Sequence, residues 1–146
     1  MQTSKIRYNE KGLIDGEYRT YFESGAIQQI YNFKDELPHG VHTEFFENGN
    51  KLGECTYDNG KREGRYSEWF PDGSLRYTVM YKDDTDVDEG FAWNEDGSVK
   101  YIIDFNEHTM TTYSHENPRT IPYNSVPWRE RNEKPKKYPR PKNIPA

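Results

Sequence analysis

The sequence predicts an all-β protein: an elongated single-layer antiparallel sheet of consecutive β-hairpins, followed by an extended, proline-rich C-terminal tail. Three observations predict it. Two glycine sets recur together, Gly25, Gly49, Gly73 and Gly97 at intervals of 24, and Gly16, Gly40, Gly64 and Gly90 at 24, 24 and 26; a period of roughly 20–50 residues marks a repeat array. The segments after the first set alternate apolar and polar residues, as half-buried strands do. Hydrophobic residues make up only 32% of the chain while aromatics reach 15%. Ordinary domains are about 45–50% apolar, so this composition suits a thin aromatic-rich sheet better than a thick core.

Residues 5–15 read as the closing half of a preceding unit, with Ile6 and Tyr8 on the apolar parity. The array thus begins on a half unit, as a terminal cap does. Four units follow, at about 16–39, 40–63, 64–89 and 90–113. Each carries a turn phrase, "ESG", "ENG", "PDG" or "EDG", whose glycine tolerates the positive φ a hairpin turn requires. In the first unit, Phe22 set against Ile27 places Tyr18 opposite Tyr31. Ile27, Tyr31 and Phe33 then share one parity, and Cys55 and Tyr57 follow suit, although Lys51 breaks the pattern and Leu52 takes the other parity. Leu75, Tyr77, Val79 and Tyr81 continue it, then Val99, Tyr101, Ile103 and Phe105. The second glycine set marks the turn into the next unit. The fourth unit has a first strand two residues short and a connection two residues long, which predicts local irregularity.

A domain boundary falls near Asn117. Residues 118–146 hold eight Lys/Arg, two acids and seven of the nine prolines; this +6 tail leaves −11 on residues 1–117 from a net charge of −5. The prolines exclude a helix there. The tail is either a strap on the sheet, through Tyr113, Ile121, Tyr123, Val126 and Trp128, or disordered. The single Cys55 excludes an intramolecular disulfide and a multi-cysteine zinc site. No apolar leader precedes residue 13 and no apolar run approaches membrane-spanning length, so a cytoplasmic protein is expected.

The phrases "GEYRTYFESG", "GVHTEFFENG" and "GRYSEWFPDG", with "YDNGKREG", resemble the MORN repeat, and more closely the variant MORN repeats of YwqK-like bacterial antitoxins. The resemblance covers about residues 5–105. It implies hairpins in one twisted sheet and, from the bacterial relatives, binding and neutralisation of a partner toxin. Leu37-Pro38-His39 and the acidic 83–89 segment depart from "NGKREG".

Two groups are candidate partner-binding residues. Tyr21, Phe45, Trp69 and Trp93 recur every 24 residues, each four before a turn glycine, so they should line up about 10 Å apart on the face opposite the apolar parity. Such a row is a docking strip or a set of cross-strand pairs that holds a single-layer sheet together. The two roles are compatible. Asp84, Asp86 and Asp88, with Glu95, echo the spacing of a calcium loop, but Glu89 stands where that loop needs glycine; a solvated acidic connection or a contact for the basic tail fits better.

His39, His42, His108 and His115 lack convergent metal-ligand spacing, and Cys55 reads as a small core residue. No nucleophile elbow, phosphate loop or zincin motif is present. The expectation is a non-enzymatic protein needing no cofactor and no metal, which sequesters a protein partner such as a basic toxin or enzyme, as an antitoxin or inhibitor. Nucleic acid is disfavoured by the acidic body. A monomer or weak oligomer is expected. The alternative is a structural or assembly scaffold, self-associating or at a membrane surface.

Overall fold

The computed structural model describes residues 3–113 and 117–122. Among them the chain forms one open antiparallel sheet of 12 strands and no helix. The strands are β1 (Gly16–Tyr21), β2 (Ile27–Lys34), β3 (Leu37–Pro38), β4 (Gly40–Phe45), β5 (Lys51–Asp58) and β6 (Lys61–Arg62). They continue as β7 (Gly64–Trp69), β8 (Leu75–Lys82), β9 (Thr85–Trp93), β10 (Val99–Asp104), β11 (Thr109–Thr112) and β12 (Arg119–Pro122). The path is β1-β2-β4-β5-β7-β8-β9-β10-β11-β12, with β3 pairing back on β2 and β6 on β5. The sheet therefore crosses the boundary drawn near Asn117: β12 adds a strand from the proline-rich segment, and Ile121 packs on the core. Tyr123, Val126 and Trp128 lie outside the described residues.

The four hairpins share one register. Tyr18 pairs with Tyr31, His42 with Cys55, Tyr66 with Val79 and Gly90 with Ile103. Each first turn is a three-residue loop. Phe22 N–H donates to Ala26 O at 2.8 Å and Gly25 N–H to Phe22 O at 2.9 Å, and the same pair of bonds recurs from Phe46, Phe70 and Asn94. Only the glycine of each loop needs φ near +90° (Gly25, Gly49, Gly73, Gly97). The residue before it caps the loop: Asn48, Asp72 and Asp96 each accept the backbone N–H two residues on.

A bulge follows every one of these turns, and it corrects the expected parity. Tyr21 pairs with Ile27, in place of Phe22. Trp69 pairs with Leu75 and Trp93 with Val99, after which the register shifts by one. Ile27, Leu75 and Val99 consequently leave the core face, and Leu75 is 42% exposed. Lys51 no longer breaks a pattern, because its position never belonged to the core. Tyr8, also expected on the apolar side, is 53% exposed, while Ile14 is buried in its stead.

The second turns lie ahead of the second glycine set. Asp35–Glu36, Asn59–Gly60 and Asp83–Asp84 all have positive φ, the two-residue geometry whose twist matches the strands it joins. Each stacks on the turn before it. Glu36 N–H donates to Ile14 O at 2.7 Å, Gly60 N–H to Pro38 O at 2.7 Å and Asp84 N–H to Arg62 O at 3.0 Å. The N–H groups of Asp35, Asn59 and Asp83 go to Asp15 Oδ2 (3.3 Å), His39 Nδ1 (3.3 Å) and Glu63 Oε2 (2.9 Å). His39 is thus an acceptor in a ladder of turns. Gly40 and Gly64, at φ 85° and 87°, fill the two-residue bulge that follows, and Gly16, at φ 95°, holds the corresponding position of the first unit. In the fourth unit Asp88 takes that place at φ 59°, so the period stays at 24 and Gly90 has a different task.

Side chains on one face form the core without a second layer. Ile14, Tyr18, Tyr31 and Phe33 cluster at one end; Cys55, Tyr57, Tyr66, Tyr77, Val79, Tyr81 and their neighbours cluster along the rest. The His42 ring joins the two, with centroids 5.4 Å from Tyr31, 5.9 Å from Phe33 and 4.6 Å from Tyr57. Burying an aliphatic side chain such as Val79 or Ile103 stabilises the fold by roughly 1.5–3 kcal/mol.

Candidate partner-binding surface

The structure places Tyr21, Phe45, Trp69 and Trp93 alike: each ends or nearly ends a hairpin's first strand, just before its three-residue turn, and each is half-buried. Because of the bulge, each has a cross-strand neighbour on its own face: Ile27, Lys51, Leu75 and Val99 respectively. The row is therefore twice as broad as its sequence signal. Lys51 Nζ sits 5.7 Å from the Trp69 ring centroid, a cation–π contact between adjacent hairpins. Phe91 stacks on Trp93 at 6.1 Å. Asn48 and Asn50 both donate to Pro71 O at 2.8 Å, tying the second turn to the third. These contacts give the row its cross-strand structural role, and its half-exposed rings leave area for a partner.

A cavity of about 220 Å³ opens beside the last member of the row. Trp93, Ala92, Tyr77, Tyr101, Glu68 and Arg76 are among its walls. Glu68 accepts the Tyr66 hydroxyl at 2.7 Å and faces Arg76 Nη1 at 3.4 Å.

The acidic trio lies at the other end of the hairpins. Asp86 is seven residues from Trp93 along β9, roughly 20 Å at strand rise, so the two groups of candidate residues are not brought together. Asp84 is committed to the fold: its Oδ1 accepts Arg62 Nε at 2.9 Å and Arg62 N–H at 3.0 Å, and its carbonyl accepts Arg62 Nη2 at 3.1 Å. The Arg62 guanidinium lies 4.0 Å from the Tyr81 ring centroid. Asp86 is half-buried and Asp88 is exposed in its left-handed bulge. Arg62 was not singled out in the sequence, because Pro38 holds its register position one unit earlier.

His42 is 1% exposed, and its Nε2–H donates to Asn32 O at 2.7 Å. Burial lowers its pKa to about 4, against a smaller opposing effect of that hydrogen bond, so the ring is neutral near pH 7. Burial also pushes the Cys55 thiol up to about 12, with Arg62 pulling the other way; Cys55 is a protonated thiol in the core. Among the described residues no group of three or more His, Cys, Asp or Glu could hold a metal ion, and no helix is long and apolar enough to cross a membrane. His115 lies outside the described residues.

Comparison with known proteins bears on the repeat itself. Residues 14–35, 38–59 and 62–83 match the MORN repeat variant. No curated protein matches the chain. Among solved structures, a mutant of S. aureus TarM in complex with Fondaparinux, alpha-GlcNAc-glycerol and UDP is similar at 12% identity and a TM-score of 0.45, covering 75% of this chain and 21% of that one. A further TarM structure gives 13% and 0.44, with the same coverage. A GtfA/B complex bound to UDP and GlcNAc gives 10% and 0.32, over 73% and 22%. This chain spans about a fifth of those proteins. Three consecutive stretches within residues 14–83 thus match the MORN repeat variant, and the fourth hairpin carries their register beyond the matched residues.

Proposed function

We propose that this protein is a non-enzymatic binding module that sequesters a protein partner, as the resemblance to YwqK-like antitoxins implies, and inhibits it by occlusion. The observation that carries this reading is the broad aromatic row, Tyr21, Phe45, Trp69 and Trp93 with their cross-strand neighbours, held half-exposed along one side of an open sheet. Tyr and Trp dominate binding energy where they are pre-positioned by a rigid scaffold, and the stacked turns provide that scaffold. The −11 balance over residues 1–117 selects a basic partner surface by speeding encounter and excluding acidic competitors.

A self-associating scaffold is less well supported at the β1 end of the sheet, because that edge is occupied. Ser4 N–H donates to Arg19 O at 2.8 Å, Arg19 N–H donates to Ser4 Oγ at 2.6 Å, and Thr3 bridges Thr20. A covered edge does not template another chain.

The test is affinity capture from cells expressing the adjacent reading frames, then titration of the purified partner against Phe45→Ala and Trp69→Ala. Each should weaken binding by about 30-fold, the effect of a hot-spot residue. Unchanged affinity in both, or a stable homo-oligomer by light scattering with no specific partner, defeats the reading.

A further inference from the structure

Two residues of β9 depart together from the repeat. Tyr18, His42 and Tyr66 are followed in register by Gly90, and Thr20, Glu44 and Glu68 by Ala92. The place beside Gly90 is refilled from within: an added Cβ would stand 3.1 Å from Tyr77 Oη and 3.3 Å from Phe105 Cε2. The place beside Ala92 keeps its space, and the cavity of about 220 Å³ lies there. Departures from an otherwise consistent pattern are where function concentrates.

We propose that this cavity is a socket for one aromatic side chain bearing a hydrogen-bond donor, a tyrosine or tryptophan, supplied by the protein partner. The inference rests on the partner-binding reading above and names its anchor, which enters from the core face, where Glu68, Tyr77, Ala92 and Tyr101 pair, opposite the face that carries the aromatic row. Size is the first reason, since the volume falls below the roughly 300–1,000 Å³ of sites for free small molecules and suits a single inserted side chain. Walls are the second. Tyr77 and Tyr101, with ring centroids 6.5 Å apart, form the inner side, and Trp93 and Phe70 flank it. A ring entering beside them pairs edge-to-face or offset at about 4.5–7 Å, while Glu68, Arg76, Asn94, Glu95 and Lys100 make the rest of the wall polar.

Charge is the third reason. Two cations, Arg76 and Lys100, and two carboxylates, Glu68 and Glu95, line the cavity, so the formal charges cancel and a neutral occupant is favoured over a cation or an anion. Glu68 supplies the polar contact. One oxygen takes the Tyr66 hydroxyl and the other faces Arg76 at 3.4 Å, whereas a carboxylate offers about four lone-pair sites. An incoming O–H or indole N–H finds an acceptor there, which a leucine or phenylalanine would leave unused.

The register supplies the test variants. Ala92→Glu and Ala92→Thr restore residues that the same position holds in Glu44, Glu68 and Thr20, so they fill the socket with side chains the sheet already accommodates. N-acetyl-tyrosinamide is titrated into the isotope-labelled full chain and followed by amide chemical shifts. Saturation in the millimolar range, as expected of so small a ligand, with shifts centred on residues 92–94 and 100–101, supports the socket. N-acetyl-leucinamide and N-acetyl-argininamide should bind at least tenfold more weakly. Equal binding of these probes to the unmodified chain overturns the proposal, whatever the variants do. So does unchanged tyrosinamide binding by both variants. With a captured partner in hand, a tenfold or greater loss in both variants supports the socket. Equal affinity for all three chains overturns it and leaves the partner-binding reading standing, since that reading fails on the separate Phe45→Ala and Trp69→Ala result.

Discussion

The third and fourth hairpins have the same register and turn chemistry, yet they use glycine for opposite reasons. Gly64 and Gly90 belong to one sequence set. In the structure Gly64 sits in a bulge at φ 87° with nothing within 4 Å of an added Cβ, whereas Gly90 has no left-handed backbone and is crowded by Tyr77 and Phe105. The first is a glycine of conformation, the second a glycine of packing. In a repeat array, identical residues at nearly identical spacing can therefore solve different problems, and substitution separates them.

The largest effects come from exchanging residues across the register. Tyr66→Gly removes a ring that is 5% exposed and packed at 6.5 Å against Tyr81. It should cost about 4 kcal/mol, within the range for emptying an aromatic core site. Gly90→Tyr does the reverse and overpacks a filled site, at about 3 kcal/mol. Denaturant midpoints at constant slope measure both. A tolerated Gly90→Tyr would mean that Phe105 swings away freely and that the fourth hairpin is no different from the third.

His42 holds this same register position in the second hairpin and adds a pH dependence that its tyrosine counterparts lack. The folded chain keeps it neutral down to about pH 4, while in the unfolded chain it protonates near pH 6.5. Between those values the unfolded state binds the extra proton. Stability is therefore full above about pH 6.5 and falls as the pH drops toward 4, by about 3 kcal/mol. Tyr31 and Tyr57 pack against the ring and Asn32 O accepts its Nε2–H hydrogen bond, and Tyr31, whose pKa burial raises, stays uncharged in this window. Glu44, two residues along β4, is the nearest carboxylate in sequence on the same face. His42→Tyr should flatten that part of the pH profile in thermal or urea melts. An unchanged slope would place the acid sensitivity elsewhere.

Smaller still is the pair Gly64→Ala and Gly90→Ala. The former forces an L-residue into the left-handed region, at about 1–2 kcal/mol. The latter adds a methyl against Tyr77 Oη, the far end of a side chain able to shift, at about 1 kcal/mol. High-salt or temperature changes should leave both alike, but only Gly64→Asn should recover most of its loss, because Asn tolerates the left-handed region. Equal behaviour of the two glycines with Asn would erase the distinction.

Much of this was legible in the sequence. The fold class, the hairpin array and the pairing of Tyr18 with Tyr31 follow from glycine spacing and alternation, because turns and pleats impose fixed periods. The bulges after each turn were not legible. A one-residue insertion flips the side-chain face without changing composition, so Ile27, Leu75 and Val99 were read onto the core although they lie beside the aromatic row. The fourth unit misled for a related reason: Gly90 looks like a displaced repeat glycine, and Asp88, which keeps the true period, carries no glycine signal. The cavity was hidden too. It arises from what Ala92 lacks relative to Glu44 and Glu68, and an absence is visible only once the register is fixed.

The smallest prediction tests that corrected register directly. Asp88 occupies the bulge position at φ 59° that Gly40 and Gly64 fill elsewhere. A left-handed L-residue costs roughly 1–2 kcal/mol, less for Asp, whose short polar side chain suits that region. Asp88→Gly relieves this strain but widens the conformational freedom of the unfolded chain, a counter-effect of about 0.4–1 kcal/mol. The net gain should be under 1 kcal/mol, and the converse Gly64→Asp should lose a comparable amount. If Asp88→Gly instead destabilises the protein by more than 1 kcal/mol, backbone conformation is not what the position selects for. The exposed carboxylate would then have to be holding something in place, and the third and fourth hairpins would differ at their bulges as well as in their cores.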